Sequence, residues 1–255
     1  PLLRTLAEHG QLTAEDILPL RQQPEALEAE LLAAVFDPAR PGSLRDTADQ
    51  LRRLAILVRD RTSNDLWRVL TQLDDRLTPP AGVSSLLAGD AVAVINQTLV
   101  DVASFHGLTN DNMTRAQGWR FLDMGRRIER SIQICTFLDS VFSAPDAENL
   151  GLLEAVLEVC DCSITYRSRY NVLPQLAAVS DLVLLDDTNP RSLLFQLNQL
   201  VKHFERLPRE KLTALPSAGQ RVLIDCVARL RLADPRELGC AGEKAADTGI
   251  AKVIR

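Results

Sequence analysis

Helical spacing of apolar residues constrains this chain more than any other feature. Nearly every periodic stretch places apolar residues three or four positions apart, and no segment alternates apolar and polar residues as a half-buried strand would. Helix-start signals precede many stretches, including Ser43 before "LRDTADQL" and a capping-box pattern formed by Thr114 and Gln117. The sequence therefore predicts an all-α, multi-helix bundle.

Proline and glycine residues separate the predicted helices and leave short connections between them, which is typical of a bundle. All 255 residues are predicted to form one domain. The small and polar stretch at 235–255 is interpreted as a loose tail or a truncated element. The predicted helices cover residues 13–21, 24–36, 43–61, 64–77, 83–106, 114–142, 148–173, 178–186, 190–206 and 218–232.

Two stretches of the chain repeat one pattern. Both "VFDPARPGSLRDTADQL" and "LDDTNPRSLLFQLNQL" place an aspartate and a proline before a helix that starts at Ser-Leu. Aligning Ser43 with Ser192 also aligns Asp37 with Asp186. The repeated pattern predicts that the bundle consists of two related halves.

Composition argues against several classes of function. The net charge is −5 and aromatic residues make up 4%, so the chain lacks the basic, aromatic-rich face of a nucleic-acid binder. No apolar run approaches the ~20 residues that a membrane span needs, so we expect neither nucleic acid nor membrane as a partner. The five cysteines and three histidines have no metal-ligand spacing. We therefore predict no metal or cofactor, reduced thiols and a cytoplasmic location.

The stretch "GWRFLDMGRRIERS" combines charged and bulky apolar side chains on one predicted helix. Glu129 falls at the edge of the apolar stripe and is predicted to be half-buried, with Arg126 as its intrahelical partner three residues earlier. Gly125 lies beside the stripe and is predicted to let another helix approach. At about 100° per residue, the stripe consists of Phe121, Met124, Ile128, Ile132 and Cys135.

A second apolar stripe ends in an arginine. In "LLEAVLEVCDCSITYRSRYNVL" the next position on the stripe is Arg167, whereas Glu154 and Glu158 lie on a neighbouring, solvated side. A buried arginine needs a counter-charge, and Glu129 is the best-placed carboxylate. The alternative is that Arg167 extends to the rim of the protein, as long charged side chains do near helix ends.

A third charged element begins the helix predicted after the second aspartate-proline pattern. Asn189 can cap that helix, the proline after it fits the first turn, and Arg191 adds positive charge. Free backbone N–H groups at such an end attract carboxylate or phosphate. The alternative is a capped helix start without a ligand, satisfied locally by Asp186 and Asp187.

Three stretches, "NMTRAQGWRFLDMGRRIERS", "TYRSRY" and "LVLLDDTNPRSLLFQL", together resemble the bacterial alpha-E domain, an all-helical family named for a Glu-Arg motif. The likeness covers about residues 30–207. Family members usually open with an earlier Gly-Arg…Glu-Arg helix, which "PLLRTLAEHGQL" does not supply. We therefore expect this first motif helix to be missing, which leaves an apolar groove that is either exposed or filled by something else. The resemblance places the family motif on Trp119, Phe121, Gly125, Arg126, Glu129 and Arg130, with Arg167, Asn189, Pro190 and Arg191 at its later positions.

The resemblance implies partners rather than a reaction. Alpha-E proteins are encoded beside, or fused behind, a circularly permuted ATP-grasp protein, often with a transglutaminase-like protease, a setting that suggests chemistry on peptide-like amide bonds. A start at Pro1 instead of methionine agrees with excision from such a fusion.

Three hypotheses for the function follow. The first is a non-catalytic accessory domain whose Arg/Glu-lined groove binds a peptide-like or anionic ligand, or the ATP-grasp partner. The second is an enzyme of that system with Glu129 as its general base. The third is a purely structural Glu–Arg network in a scaffold domain. The candidate ligand-binding residues are Trp119, Arg126, Glu129, Arg130, Arg167, Asn189 and Arg191.

Overall fold

Every regular element in the described residues is helical, which confirms the predicted all-α class. The computed structural model of the chain describes residues 2–8, 12, 22–78, 88–142, 147–208 and 215–235, and no strand occurs in these ranges. The chain divides into two compact units. The first unit is Leu6–Arg115, and the second unit is Ala116–Arg255 together with Pro1–Thr5.

The first unit is built from helices that pack in chain order: α3 (Leu44–Leu57) contacts α4 (Asn64–Leu77), and α4 contacts α5 (Ala88–Asn112). Leucines spaced four, three and four residues apart on α4, beginning at Leu66, are all buried because they form one face of the helix. The side chain of Ser43 caps α3. Arg45 on α3 forms an ion pair with Asp74 on α4 at 3.1 Å. The first unit also contains α2 (Pro24–Phe36), and α1 (Leu2–Glu8) contributes residues to both units.

The second unit packs its longest helix, α6 (Gln117–Phe142), along α10 (Leu193–Glu205), and α10 also contacts α11 (Ala218–Leu232). Its core includes Leu138, Val156 and Val183, which have no exposed surface. In this unit the helices are α6 (Gln117–Phe142), α7 (Leu150–Val159), α8 (Ser163–Tyr170), α9 (Leu176–Ser180) with a π-helical turn (Asp181–Leu185), α10 (Leu193–Glu205) and α11 (Ala218–Leu232).

The two ends of α6 have different surroundings. Leu138 and Val141 near its C-terminal end are fully buried, and Phe137 and Phe142 are nearly so. This apolar half anchors the helix in the core of the second unit. The N-terminal half, which carries the arginines, therefore has a fixed position over α10.

Several predicted helices have different boundaries in the structure. The helix predicted to end at residue 106 continues to Asn112, and the helix predicted at 43–61 ends at Leu57. The helix predicted at 148–173 is interrupted after α7, because Asp161 adopts a left-handed conformation with φ of 52° that ends the helix and redirects the chain into α8. The helix predicted at 178–186 is α9 continued by the π-helical turn. The prediction at 13–21 and the first residues of 83–106 lie outside the described residues.

The repeated aspartate-to-serine pattern has the same local geometry in both places. The Ser43 hydroxyl accepts the backbone N–H of the third residue of α3 at 3.0 Å and donates to the carbonyl oxygen of Asp37 at 2.7 Å. The Ser192 hydroxyl accepts the corresponding N–H of α10 at 3.1 Å and donates to the carbonyl oxygen of Asp186. This match confirms the repeated turn, whereas the duplication of a half-bundle stays a prediction.

Candidate functional site

A buried carboxylate, that of Asp123, organises the charges on α6. Asp123 is 3% exposed, and its Oδ1 atom accepts a hydrogen bond from Arg126. Its Oδ2 atom accepts from Nε of Arg127 at 2.7 Å and from Nε2 of His203 at 2.6 Å. Both arginines reach the carboxylate because residues three and four positions later lie on the same helix face. His203 belongs to α10, so the carboxylate also joins the two helices.

Arg127 extends this network to the start of α10. Its Nη1 atom donates to Oε1 of Gln196 at 3.0 Å, and Nε2 of Gln196 donates to the carbonyl oxygen of Pro190 at 2.5 Å. The guanidinium carbon also lies 5.7 Å from the centroid of the Phe195 ring. Gln196 is 1% exposed, so its side-chain amide is shielded from water. Arg127 therefore holds α6 against α10.

The imidazole of His203 is enclosed by the same two helices. Trp119 contacts it edge-on, with ring centroids 5.4 Å apart. Its Nδ1 atom is buried and has no hydrogen-bond partner in the described part of the chain. Trp119, predicted as a ligand-binding residue, thus packs over the buried histidine.

Four arginines of the second unit, Arg126, Arg127, Arg130 and Arg191, form what we call the arginine cluster. Arg130 makes no hydrogen bond or ion pair with any described residue. Burial lowers the pKa of Arg130, and the neighbouring charges of Arg191 and Arg127 lower it further. Burial and the charges of Arg127 and Arg130 lower the pKa of Arg126 to about 10. The cluster therefore holds more positive charge than its surroundings balance.

Among the described residues, two aspartates form ion pairs with members of the arginine cluster. Asp123 is shared by Arg126 and Arg127, and Asp161 pairs with Nη2 of Arg191 at 2.6 Å. The Asp161–Arg191 pair is partly exposed and therefore easily screened by solvent. An anion that entered beside Arg130 would meet guanidinium groups with spare donors.

The prediction that Glu129 is half-buried is wrong. Glu129 is exposed, and its Oε1 atom accepts a hydrogen bond from Gln133 at 2.9 Å. The predicted pair with Arg126 does not form, because Arg126 lies nearer the core and bonds to Asp123. The alternative pair with Arg167 does not form either, since Arg167 donates from Nε to a backbone oxygen of its own helix at 3.3 Å.

The predicted apolar stripe of α6 does not face the core. Phe121, Ile128 and Ile132 are 60%, 43% and 52% exposed, whereas Met124 is buried. The helix instead turns its Asp123 side inward, because α10 offers polar partners there that satisfy the buried carboxylate. No atom lies within 4 Å of a Cβ placed on Gly125, so the predicted approach of another helix at this glycine is not observed in the described residues. An exposed apolar face agrees with the expected groove, and the missing first motif helix stays a prediction.

The start of α10 also differs from the prediction. Ser192, not Asn189, caps the helix. Asn189 is 7% exposed, donates from Nδ2 to the carbonyl oxygen of Leu182 at 3.0 Å and accepts the backbone N–H of Arg191 at 3.0 Å. Asn189 therefore fixes the turn that carries Arg191. Its side-chain amide is occupied by these hydrogen bonds, and the predicted role in ligand binding stays a prediction.

The structure brings some predicted site residues together and separates others. Arg126, Arg130 and Arg191 share one cluster, whereas Arg167 lines a different cavity beside α7 and α8. Sequence reasoning missed Asp123, Gln196 and His203. A signal for the α10 residues existed, since Gln196 and His203 occupy buried positions at helical spacing beside Leu193 and Leu200.

The described residues contain neither a cluster of metal-binding side chains nor a helix that could cross a membrane. The described ranges contain no group of three or more His, Cys, Asp or Glu side chains that could hold a metal ion. Within the same ranges, no helix has both the length and the apolar character required to cross a bilayer. Cys135, Cys160, Cys162 and Cys226 are free thiols. Burial raises the pKa of the Cys160 thiol to about 12, so it is a poor nucleophile.

The fold and the site define an all-helical domain in which one long helix carries a Glu-Arg dipeptide, Glu129–Arg130, beside a buried aspartate–arginine network. The chain belongs to the Alpha-E family, described as a predicted alpha-helical domain with a conserved ER motif, and the family model matches residues 1–253.

Relatives of the chain occur in mycobacteria. It is 35% identical over 217 residues to an uncharacterized protein of Mycobacterium bovis and to uncharacterized proteins of Mycobacterium tuberculosis. The match covers 82% of this chain and 24% of each relative, so the chain spans about a quarter of the length of these curated relatives. No solved structure matches the chain significantly.

Proposed function

We propose that this chain is a non-catalytic accessory domain that binds the anionic group of a peptide-like ligand or of a protein partner through its arginine cluster. The proposal rests on Arg130, a half-buried arginine that lies beside two further cationic side chains. Arg130 forms no hydrogen bond or ion pair with any described residue. Guanidinium groups suit carboxylates and phosphates because their planar donors bind both oxygens at once.

The electrostatics of the cluster favour an anionic ligand. Burial and mutual repulsion lower the pKa of both Arg126 and Arg130, which means that the surroundings disfavour their charged forms. A carboxylate or phosphate bound between Arg130 and Arg191 would relieve that repulsion. Arg127 already donates a hydrogen bond to Asp123, so these two residues hold α6 in place. Arg130 and Arg191 are then the arginines that contact the ligand.

The partner and setting that we propose follow from the family. A circularly permuted ATP-grasp protein or domain, fused or adjacent, is the proposed partner, in a system that modifies peptide-like amide bonds. The much greater length of the mycobacterial relatives, of which the match covers 24%, supports a role beside other domains. The free thiols support a reducing, cytoplasmic location.

The two other hypotheses fare differently. The enzyme hypothesis assumed that Glu129, its general base, is half-buried. The Glu129 carboxylate is instead exposed and accepts a hydrogen bond from Gln133. The structural hypothesis predicted a Glu–Arg network. The buried hydrogen bonds that join α6 to α10 are instead made by Asp123, Arg127 and His203.

The test of the proposal is calorimetric titration of the full chain with triglutamate at low ionic strength, with triglutamine as the uncharged control peptide. We expect triglutamate to bind and triglutamine not to bind. The substitution Arg130→Gln is expected to weaken triglutamate about tenfold, the effect of losing one charge-assisted hydrogen bond. Added salt should weaken it as well.

The matched control variant is Arg229→Gln, which removes an arginine from α11 of the same unit, where it pairs with Asp225. This variant should bind triglutamate as the wild type does. Equal losses in the Arg130 and Arg229 variants would reduce the interaction to general charge attraction. Failure of the wild type to bind triglutamate would remove the proposal.

A further inference from the structure

A cavity of about 640 Å³ lies between α7, α8 and the loop that follows α8, apart from the arginine cluster. This volume is within the range of small-molecule binding pockets. Its lining is mixed in polarity and includes Glu154 and Glu158 from α7, Tyr166 and Arg167 from α8, and Asn171 from the loop.

The wall formed by the loop has a fixed shape. The hydroxyl of Tyr166, a residue that is 1% exposed, donates to the carbonyl oxygen of Leu173 at 3.2 Å and accepts the backbone N–H of Gln175 at 3.1 Å. Asn171 ends α8 in the left-handed conformation with φ of 50°, which turns the chain back over the cavity. The cavity is therefore built by the fold, and a ligand would meet a preformed wall.

Two glutamates face the cavity from α7. Neither Glu154 nor Glu158 forms an ion pair or hydrogen bond with any described residue. They lie four positions apart on α7, where like charges repel one another. Glu158 is also in the last turn of that helix, where the helix dipole disfavours negative charge. Both effects oppose the arrangement, and both would be relieved by a cation bound between the carboxylates.

The opposite charge lies on the neighbouring helix. The Nε atom of Arg167 donates to the carbonyl oxygen of Ser163 at 3.3 Å, and its Nη groups have no partner in the described ranges. Arg167 lines the same cavity as the glutamates but does not form an ion pair with either of them. The cavity thus presents a negative side on α7 and a positive side on α8.

We propose that this cavity binds a zwitterionic amino acid or a short peptide with free termini. The ammonium group lies between Glu154 and Glu158, and the carboxylate accepts from the Nη groups of Arg167. The apolar surface of Leu157 and Leu173, which also line the cavity, covers the carbon skeleton. The site is separate from the arginine cluster, so it stands whether or not the cluster binds an anion.

The experiment titrates the full chain calorimetrically with trialanine and with two blocked forms, N-acetyl-trialanine and trialanine amide. We expect trialanine to bind and each blocked form to bind about tenfold or more weakly, because each loses one charge-assisted contact. Equal binding of all three peptides, or no binding of trialanine at millimolar concentration, would overturn the proposal.

Two variants test which side chains of the cavity bind the ammonium group and which bind the carboxylate of the peptide. In Glu154→Gln/Glu158→Gln, trialanine should weaken about tenfold, while N-acetyl-trialanine should bind as weakly as it does to the wild type. Arg167→Gln should also weaken trialanine binding about tenfold, while trialanine amide should bind as weakly as it does to the wild type. Arg229→Gln, which removes an arginine of α11 that lines neither this cavity nor the arginine cluster, should leave trialanine binding unchanged. If Arg130→Gln abolished binding and the cavity variants did not, the peptide would occupy the cluster and the proposed site would be wrong.

Discussion

The Oδ2 atom of Asp123 lies 2.6 Å from the Nε2 atom of His203, and this contact joins α6 to α10 across 80 positions of sequence. Both side chains are almost fully buried. The same oxygen accepts from Arg127, so one carboxylate satisfies donors of two helices. A buried charge that is paired and hydrogen-bonded in this way specifies one register between the helices.

Asp123→Asn is expected to lower the free energy of unfolding by about 3 kcal/mol or more, because it leaves two half-buried arginines without their counter-charge. The control is Glu129→Gln on the same helix, which should change stability by less than about 0.5 kcal/mol because Glu129 is exposed. Urea unfolding followed by circular dichroism measures both. The assignment fails if Glu129→Gln is the more damaging substitution.

Gln196→Leu should destabilise the protein by about 1–3 kcal/mol. The substitution removes the acceptor for Nη1 of Arg127 and the donor to the Pro190 carbonyl oxygen, and both partly buried groups lose this partner. The double variant with Arg127→Met should lose less than the sum of the single losses, because the two side chains share one interaction. Strict additivity in thermal unfolding would show that the 3.0 Å contact contributes nothing.

The helical class and most helix positions were predictable from sequence, because apolar spacing and capping residues act locally. The serines show this best. Ser43 and Ser192 were recognised as matching helix starts, and their hydrogen bonds agree atom for atom. Such capping depends on the next few residues of the chain alone.

The inward face of α6 was not predictable in the same way. By apolar pattern, Phe121 and Ile128 should be buried and Asp123 should be exposed, but the structure has the reverse. The outcome depends on His203, which lies on another helix and pairs with Asp123 only after the chain has folded. A helical projection ranks side chains by hydrophobicity and contains no information about such a distant partner.

Ser192→Ala should cost about 1–2 kcal/mol of stability, because it removes the cap of α10 and the hydrogen bond to the Asp186 carbonyl oxygen. Ser43→Ala should cost about as much in the first unit, since its two bonds are the same. The matched control is Ser104→Ala, whose exposed hydroxyl donates to a carbonyl oxygen of its own helix. Unfolding curves in which the Ser104 variant loses as much as the capping variants would contradict this assignment.

Asp186 should make the stability of the protein sensitive to acid. Burial alone would raise the pKa of Asp186, but hydrogen bonds from Thr188 and the pair with Arg169 together lower it. A carboxyl whose pKa is lower in the folded state stabilises the protein above its unfolded pKa of about 4, and this contribution is lost as the pH falls through the folded value.

The stability difference between the wild type and Asp186→Asn should therefore be largest near neutral pH and should shrink below about pH 4. Urea midpoints across this range measure it. The neighbouring Asp187→Asn, which alters an exposed carboxyl without a described ion pair, serves as the control. A difference that stays constant with pH would show that the charge of Asp186 does not contribute to the stability of the protein.

Gly125→Ala is expected to stabilise the chain by about 0.5–1 kcal/mol. Alanine is the better residue in a helix interior, and a Cβ at this position would have no atom within 4 Å. Gly118→Ala, at the other open glycine of α6, should also be tolerated. Thermal unfolding of dilute protein measures both changes. Destabilisation by Gly125→Ala alone would mean that a helix approaches α6 closely at this glycine, as the sequence pattern predicted. In that case the exposed face of Phe121 and Ile128 would be a contact surface in solution.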